Sequence, residues 1–177
     1  MSTQRKISTA KPESFVSGEE REAYALLDKL NINFERVERI PEDNETGEVY
    51  GILNLCRLKN LFLCNAQKTS FYLLVMPADV PFKSAVLSKQ LGTSRFSFAP
   101  DEILMEMLGL KHGYVSVLGL ARDTERKINL VFDERVLENE YFGCLPCAET
   151  SSLKIKTADI LEKLLGYTGH HYLTVRM

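Results

Sequence analysis

No apolar run in this chain approaches the length of a membrane span, and the N-terminal MSTQRKISTAKPESF lacks the apolar core of a secretory signal. Both absences point to a cytoplasmic protein. Charge of one sign is not in excess either. The formal net charge is −2, so no global basic field announces a nucleic acid, although a local basic patch stays open. Histidine is scarce: His112, His170 and His171 are the three present, and their spacing fits no metal site. The pair at 170–171 reads as a surface feature, whereas His112 adjoins a glycine-bearing loop and is a candidate for lining a pocket. No P-loop, GxGxxG or Ser-His-Asp arrangement is present, and neither internal repeats nor low-complexity linkers interrupt the chain. No metal and no cofactor is expected.

What is present suffices for one folded domain. The 177 residues are 45% hydrophobic and 26% charged, an ordinary balance for a chain that buries a core. Residues 1–16 are polar and read as a flexible tail, leaving 17–177 as the domain. Strands and helices mix without strict βαβ alternation. The expected fold class is therefore α+β: a single domain with a central, mixed, mostly antiparallel sheet and helices packed around it.

The most informative stretch is GTSRFSFAPDEILMEMLGLKHGYVSVLGLARD, Gly92 to Asp123. Pro100 suits a first helical position, Asp101 and Glu102 complement the positive end of the dipole, and Gly109 suits a left-handed stop. Ile103, Leu104, Met107 and Leu108 share one face, and Met105, Met107 and Leu108 read as core filling. Gly113, Ser116 and Gly119 then punctuate an apolar loop. Backbone beside such glycines can approach a ligand closely, so the loop is a candidate wall of a binding site.

Elsewhere, Ser17 to Glu20 reads as a capping box opening a helix that ends near Asn31. Phe34 to Ile40 suggests an edge strand, Pro41 to Gly47 a loop, and Thr46 to Leu55 a short helix. Asn60–Cys64 and Phe71–Met76 flank the polar NAQKTS and predict an antiparallel hairpin. Asp79 to Leu91 looks helical, with Phe82, Val86 and Leu87 inward. Ile128–Phe132 and Ser151–Lys156 read as strands. Thr157 is the expected cap of a last helix carrying Ile160, Leu161, Leu164 and Leu165, and Tyr172–Val175 closes the chain as a short strand or tail.

Cys144-Leu-Pro-Cys147 is a competing signal. Its spacing matches thioredoxin-like redox sites, but those need a preceding strand and a following helix in a βαβ setting. Adding Cys56 and Cys64 makes a four-cysteine zinc set only on paper, because their seven-residue gap is not a usual ligand spacing. Free thiols in a reducing compartment are the expected state of all four cysteines.

Several motifs together resemble one family. RLKNLFLCN (Arg57–Asn65), FYLLVMPAD (Phe71–Asp79), Thr93–Asp123, INLVFDERVL (Ile128–Leu137) and LPCAETSSLKIKTADIL (Leu145–Leu161) are similar, in order, to the YbaK/ProX aminoacyl-tRNA deacylases. The resemblance runs from about Glu20 to Gly166 and is strongest to free-standing, PrdX-like prolyl-tRNA editing proteins. It implies a YbaK-like fold and trans-editing: hydrolysis of the ester of a mischarged tRNA, typically alanyl-tRNA carrying the proline anticodon or another small amino acid. It implies no metal and no covalent nucleophile. Mischarged tRNA is the implied partner, prolyl-tRNA synthetase a second candidate, and the oligomeric state is open. Lys59 occupies the family's lysine position and is the implied catalytic or orienting residue. The loop with His112, Gly113, Ser116 and Gly119 is the implied cradle.

The chain also departs from the family pattern. Leu145-Pro146 stands where a His-Pro motif is usual, Glu149 replaces an asparagine and Ser152 a threonine. Val117 replaces the loop proline, and Arg122-Asp123 stands for an Asn-Asp pair. Leu145, Pro146 and Glu149 thus form a rewritten pocket wall, with Glu149 a candidate receiver of the substrate's α-ammonium. Arg57, Lys68, Lys83, Lys89 and Arg95 are candidate phosphate contacts. The alternative reading is a retuned or inactive homologue that binds an aminoacyl end, a small ligand or a partner protein.

Overall fold

The computed structural model describes residues 5–177. Helix α1 (Gly18–Lys29) leads into β1 (Phe34–Glu38), then the short helices α2 (Asp43–Thr46) and α3 (Glu48–Leu53). The hairpin β2 (Leu58–Cys64) and β3 (Phe71–Pro77) follows, with α4 (Ser84–Leu91), β4 (Ser97–Phe98) and α5 (Asp101–Leu108). Two 3-10 turns, His112–Tyr114 and Val117–Arg122, precede β5 (Ile128–Asp133). The chain ends with α6 (Glu134–Leu137), β6 (Tyr141–Cys144), β7 (Ser151–Lys156), helix α7 over 157–168 with a π segment at its centre, and β8 (Tyr172–Val175).

The strands form a five-stranded sheet in the order β4-β2-β3-β5-β8 and a three-stranded sheet in the order β1-β7-β6. Only β3/β5 and β5/β8 are parallel, so the pairing is mostly antiparallel, as expected. The hairpin register sets Lys59 opposite Met76 and Phe62 opposite Leu73.

Period-two alternation decides which face each residue meets. Phe62, Cys64, Leu73, Val75, Leu130 and Phe132 point to one side of the larger sheet. There they pack on Phe142, Leu153 and Ile155 of the smaller sheet, and on Leu27, Leu104, Leu108, Ile160 and Leu164 of the helices. Leu63, Leu74, Met76 and Val131 point the other way, onto Leu87 of α4 and Phe96. Burying each such side chain contributes about 1.5–3 kcal/mol. A third cluster of Val37, Val49 and Leu53 holds α3 against β1.

Several local expectations shift. Half of the expected capping box forms: the Glu20 amide donates to Ser17 Oγ (3.1 Å), but the Glu20 carboxylate accepts from the Val16 amide (2.8 Å) instead of that of Ser17. Pro100 is the N-cap of α5, one residue earlier than expected, and Gly109 ends it at φ 68°. Met105 is 47% exposed and so is not core; it lies on the solvent face that the Ile103, Leu104, Met107, Leu108 stripe defines. Residues 79–83 are not helical, because Pro81 lacks a donor N–H and biases Val80 away from helix. The loop 41–47 contains α2. Thr157 is inside α7 and donates its hydroxyl to the Asn139 carbonyl (2.6 Å) instead of capping.

Of the expected tail, residues 1–4 lie outside the described residues. Residues 5–16 lie against the domain. Ser8 exchanges both backbone hydrogen bonds with Arg36 (2.8 and 2.7 Å), covering the free edge of β1. Arg5 pairs with Asp43, Lys11 with Asp28 (2.7 Å), and Phe15 packs on Tyr24 at 5.7 Å between ring centroids.

His170 is not the surface residue that the pair at 170–171 suggests. It is 5% exposed and its Nε2 lies 2.9 Å from Asp123 Oδ2, while His171 is exposed. Asp123 also accepts from the Lys127 and Ile128 amides, so this pair ties the start of β5 to the approach to β8.

Candidate functional site

A hollow with a volume of about 910 Å³ lies where the start of β2, the end of β3, the His112–Tyr114 turn and the end of β6 converge. Lys59, His112, Gly113 and Leu145 all line it. They come from three separate parts of the chain, so tertiary packing brings the motifs together.

Lys59 is half-buried on β2. Its ammonium donates to the carbonyls of Val80 (2.5 Å) and Ala78 (3.4 Å) in the turn after β3. Two acceptors hold the charge at the cavity edge while leaving its third N–H uncommitted. Next to it, Asn60 also lines the cavity, and its Oδ1 is buried without a hydrogen-bond partner in the protein. A buried acceptor left unmade costs about 1–3 kcal/mol.

His112 borders the same cavity. Its Nε2 lies 3.1 Å from the Ala99 carbonyl and 3.0 Å from Asp101 Oδ1, and the Phe98 ring meets the imidazole edge-on at 6.0 Å. Arg39 joins the wall, donating to Ser152 Oγ (3.0 Å) and Asn44 Oδ1 (2.8 Å). Arg57 donates to the Asn44 carbonyl (3.1 Å) and lies 5.9 Å from the Tyr50 ring centroid. Of the five candidate phosphate contacts, Arg57 alone lines this cavity; Lys68, Lys83, Lys89 and Arg95 are exposed elsewhere.

Four of the expected site residues are not on this wall. Ser116 is wholly buried and its Oγ accepts from the Leu118 amide (3.3 Å), which caps the second 3-10 turn. Gly119 is buried where a Cβ would sit 2.9 Å from Leu110 Cδ1, so its lack of a side chain serves packing. Pro146 is buried behind Leu145. Glu149 opens onto a second hollow of about 570 Å³, shared with Val16, Met105, Lys111 and Tyr114. It still touches the loop: its Oε1 lies 3.0 Å from where a Cβ on Gly113 would stand.

Asn60, Tyr50, Arg39 and Asn139 carry no motif signal beyond their place beside Lys59 or on separate elements. Only Asn60 was within reach of sequence reasoning, as the residue after the lysine.

The two cysteines of the CxPC segment are free and buried. Burial pushes the Cys147 thiol up to about 12, against the nearby Arg122 charge, and pushes Cys144 up as well, with Cys147 adding to the effect. Redox thiols need the reverse, a stabilised thiolate. Cys144 ends β6 and the next element is β7, so the helix that should follow a redox site is missing. Among the described residues no three His, Cys, Asp or Glu side chains gather as metal ligands, which leaves the four-cysteine zinc set unformed.

With this geometry in view, comparison with known proteins is decisive. The model of the aminoacyl-tRNA editing domain matches residues 48–163, a span holding Lys59, His112, Gly113 and Leu145 but not Arg39. The prolyl-tRNA editing protein ProX of Acetoanaerobium sticklandii is 27% identical over 157 residues, covering 86% of this chain and 94% of that protein. The prolyl-tRNA synthetase associated domain-containing protein 1 of Danio rerio is 32% identical over 114 residues, 63% of this chain and 61% of that protein. A solved structure of a proposed trans-editing enzyme for prolyl tRNA synthetase superposes with a TM-score of 0.66 at 14% identity, covering 92% of this chain and 99% of that one, which shows a shared fold. The chain belongs to the aminoacyl-tRNA editing domain family, the deacylase class to which its motifs point.

Proposed function

We propose that the 910 Å³ cavity receives the aminoacyl end of a mischarged tRNA and hydrolyses its ester, with alanine on the proline tRNA the favoured substrate. The observation that carries this reading is the convergence of Lys59, His112 and Gly113 on one hollow beside an unpartnered Asn60 acceptor. An aminoacyl ester is already reactive, so the protein needs mainly to position it and stabilise developing charge. The anchored Lys59 ammonium suits either task, holding a phosphate or ribose oxygen or facing the carbonyl oxygen. The names of the relatives point to proline tRNA, and prolyl-tRNA synthetase is the matching protein partner. Among the described residues no helix is long and apolar enough to cross a membrane.

A second reading, a homologue that binds without hydrolysing, draws on Leu145 and Glu149, which stand where the family carries a histidine and an asparagine. A panel of mischarged tRNAs tests both. Wild type should release alanine from the proline tRNA, and Lys59→Ala should lose about 10²- to 10³-fold in kcat/KM, the scale of one oxyanion donor. Tight tRNA binding without release by either protein favours the second reading.

A further inference from the structure

We infer that His112 is the general base of this site, with Asp101 as its positioning residue; the inference rests on the cavity being the ester-hydrolysing one. Nε2 faces the Ala99 carbonyl at 3.1 Å, and a carbonyl only accepts. Nε2 therefore carries the hydrogen, and Asp101 Oδ1 at 3.0 Å shares it. In the neutral imidazole this leaves Nδ1 as the bare acceptor, and among the described residues it has no protein partner. The ring lines the cavity beside Gly113, the same cavity that Lys59 borders, with 34% of its side chain exposed, so water reaches it. The Phe98 edge and the two acceptors on Nε2 hold its plane. A nucleophile activator oriented by a carboxylate is the arrangement general-base hydrolysis needs.

The step balances without any other reagent. Nδ1 takes a proton from a water molecule. The water oxygen bonds to the ester carbonyl carbon, and Lys59 faces the charge that develops on the carbonyl oxygen. The tetrahedral adduct then breaks its bond to the ribose oxygen, which collects the proton from Nδ1. Water and ester are consumed; the amino acid and a ribose hydroxyl are released. Leu145, at the family's histidine position, offers no such group, and His112 enters the same cavity from a different element.

The charged groups around the ring are Asp101 on its own side, Arg39, Arg57, Lys59, Asp79, Arg135 and Glu138 around the cavity, and Glu149 beside Gly113. Because some of these titrate, the test compares variants. Histidine 112 is replaced by glutamine, whose amide can still donate to the Ala99 carbonyl, and deacylation of Ala-tRNA(Pro) is followed from pH 5 to 8. The expected result for H112Q is a kcat lower by about 10²- to 10⁴-fold, a KM within a few-fold of wild type, and loss of the acid limb of the kcat profile. Asp101→Asn keeps the imidazole and should lower kcat with KM unchanged; it carries the test if H112Q does not fold. An active wild type with unaltered kcat and acid limb in H112Q, or with unaltered kcat in D101N, overturns this inference alone. A wild type that deacylates nothing overturns the reading of the cavity and this inference with it.

Discussion

Gly119→Ala separates a packing glycine from a substrate-cradling one. The glycine is buried in the second 3-10 turn, and a Cβ there would stand 2.9 Å from Leu110 Cδ1 and 3.9 Å from Cys147 Sγ. Leu110 is 2% exposed, so its methyl has little room to retreat. Overpacking of this kind costs about 1–3 kcal/mol. Gly119 is not in the left-handed region, so alanine brings no backbone strain and recovers about 0.5–1 kcal/mol of chain entropy. The net loss is up to about 2.5 kcal/mol, or up to about 10 °C in Tm for a chain of this size. Chemical denaturation of wild type, Gly119→Ala, Leu110→Ala and the double variant measures it. Leu110→Ala should cost less in the Gly119→Ala background than in wild type, because the added methyl fills the space the leucine leaves, with a coupling of about 1 kcal/mol. KM for the aminoacyl-tRNA should stay unchanged. Additive costs, or a raised KM at unchanged stability, would refute the packing assignment and return Gly119 to the substrate.

The other expectations concern charge and thiols. Asp133 is wholly buried; burial works against its ionisation, but Arg135 and the Met177 and Arg135 amides outweigh it and hold its carboxyl below the usual range. Its folded-state pKa is therefore depressed, so its contribution is present above about pH 4 and lost as pH falls through the folded value. Asp133→Asn should cost about 1.5–3 kcal/mol at neutral pH and flatten acid unfolding, and superimposable acid titrations would contradict this. Native protein treated with iodoacetamide at neutral pH should be alkylated at Cys56, the exposed thiol, with Cys144 and Cys147 labelled only after unfolding. Mass spectrometry of the peptides reads this, and rapid labelling of Cys144 would reopen the redox reading.

The parts of this protein that its sequence alone determined are those governed by neighbours in the chain. The hairpin of β2 and β3 follows from two apolar runs around a polar connector, and α5 from an acidic first turn and a terminal glycine. The ordered set of motifs from Arg57 to Leu161 was enough to name the family. What only the tertiary structure decided is which side chains share a space. His112, Lys59 and Leu145 meet because the ends of three elements converge, whereas Ser116 and Gly119, close to His112 in sequence, turn inward to cap and to pack. Asp123 and His170 pair across 47 residues, a contact no local pattern encodes. Short-range periodicity records whether a residue faces inward, but the partner it finds there is set by how the sheets and helices close on one another.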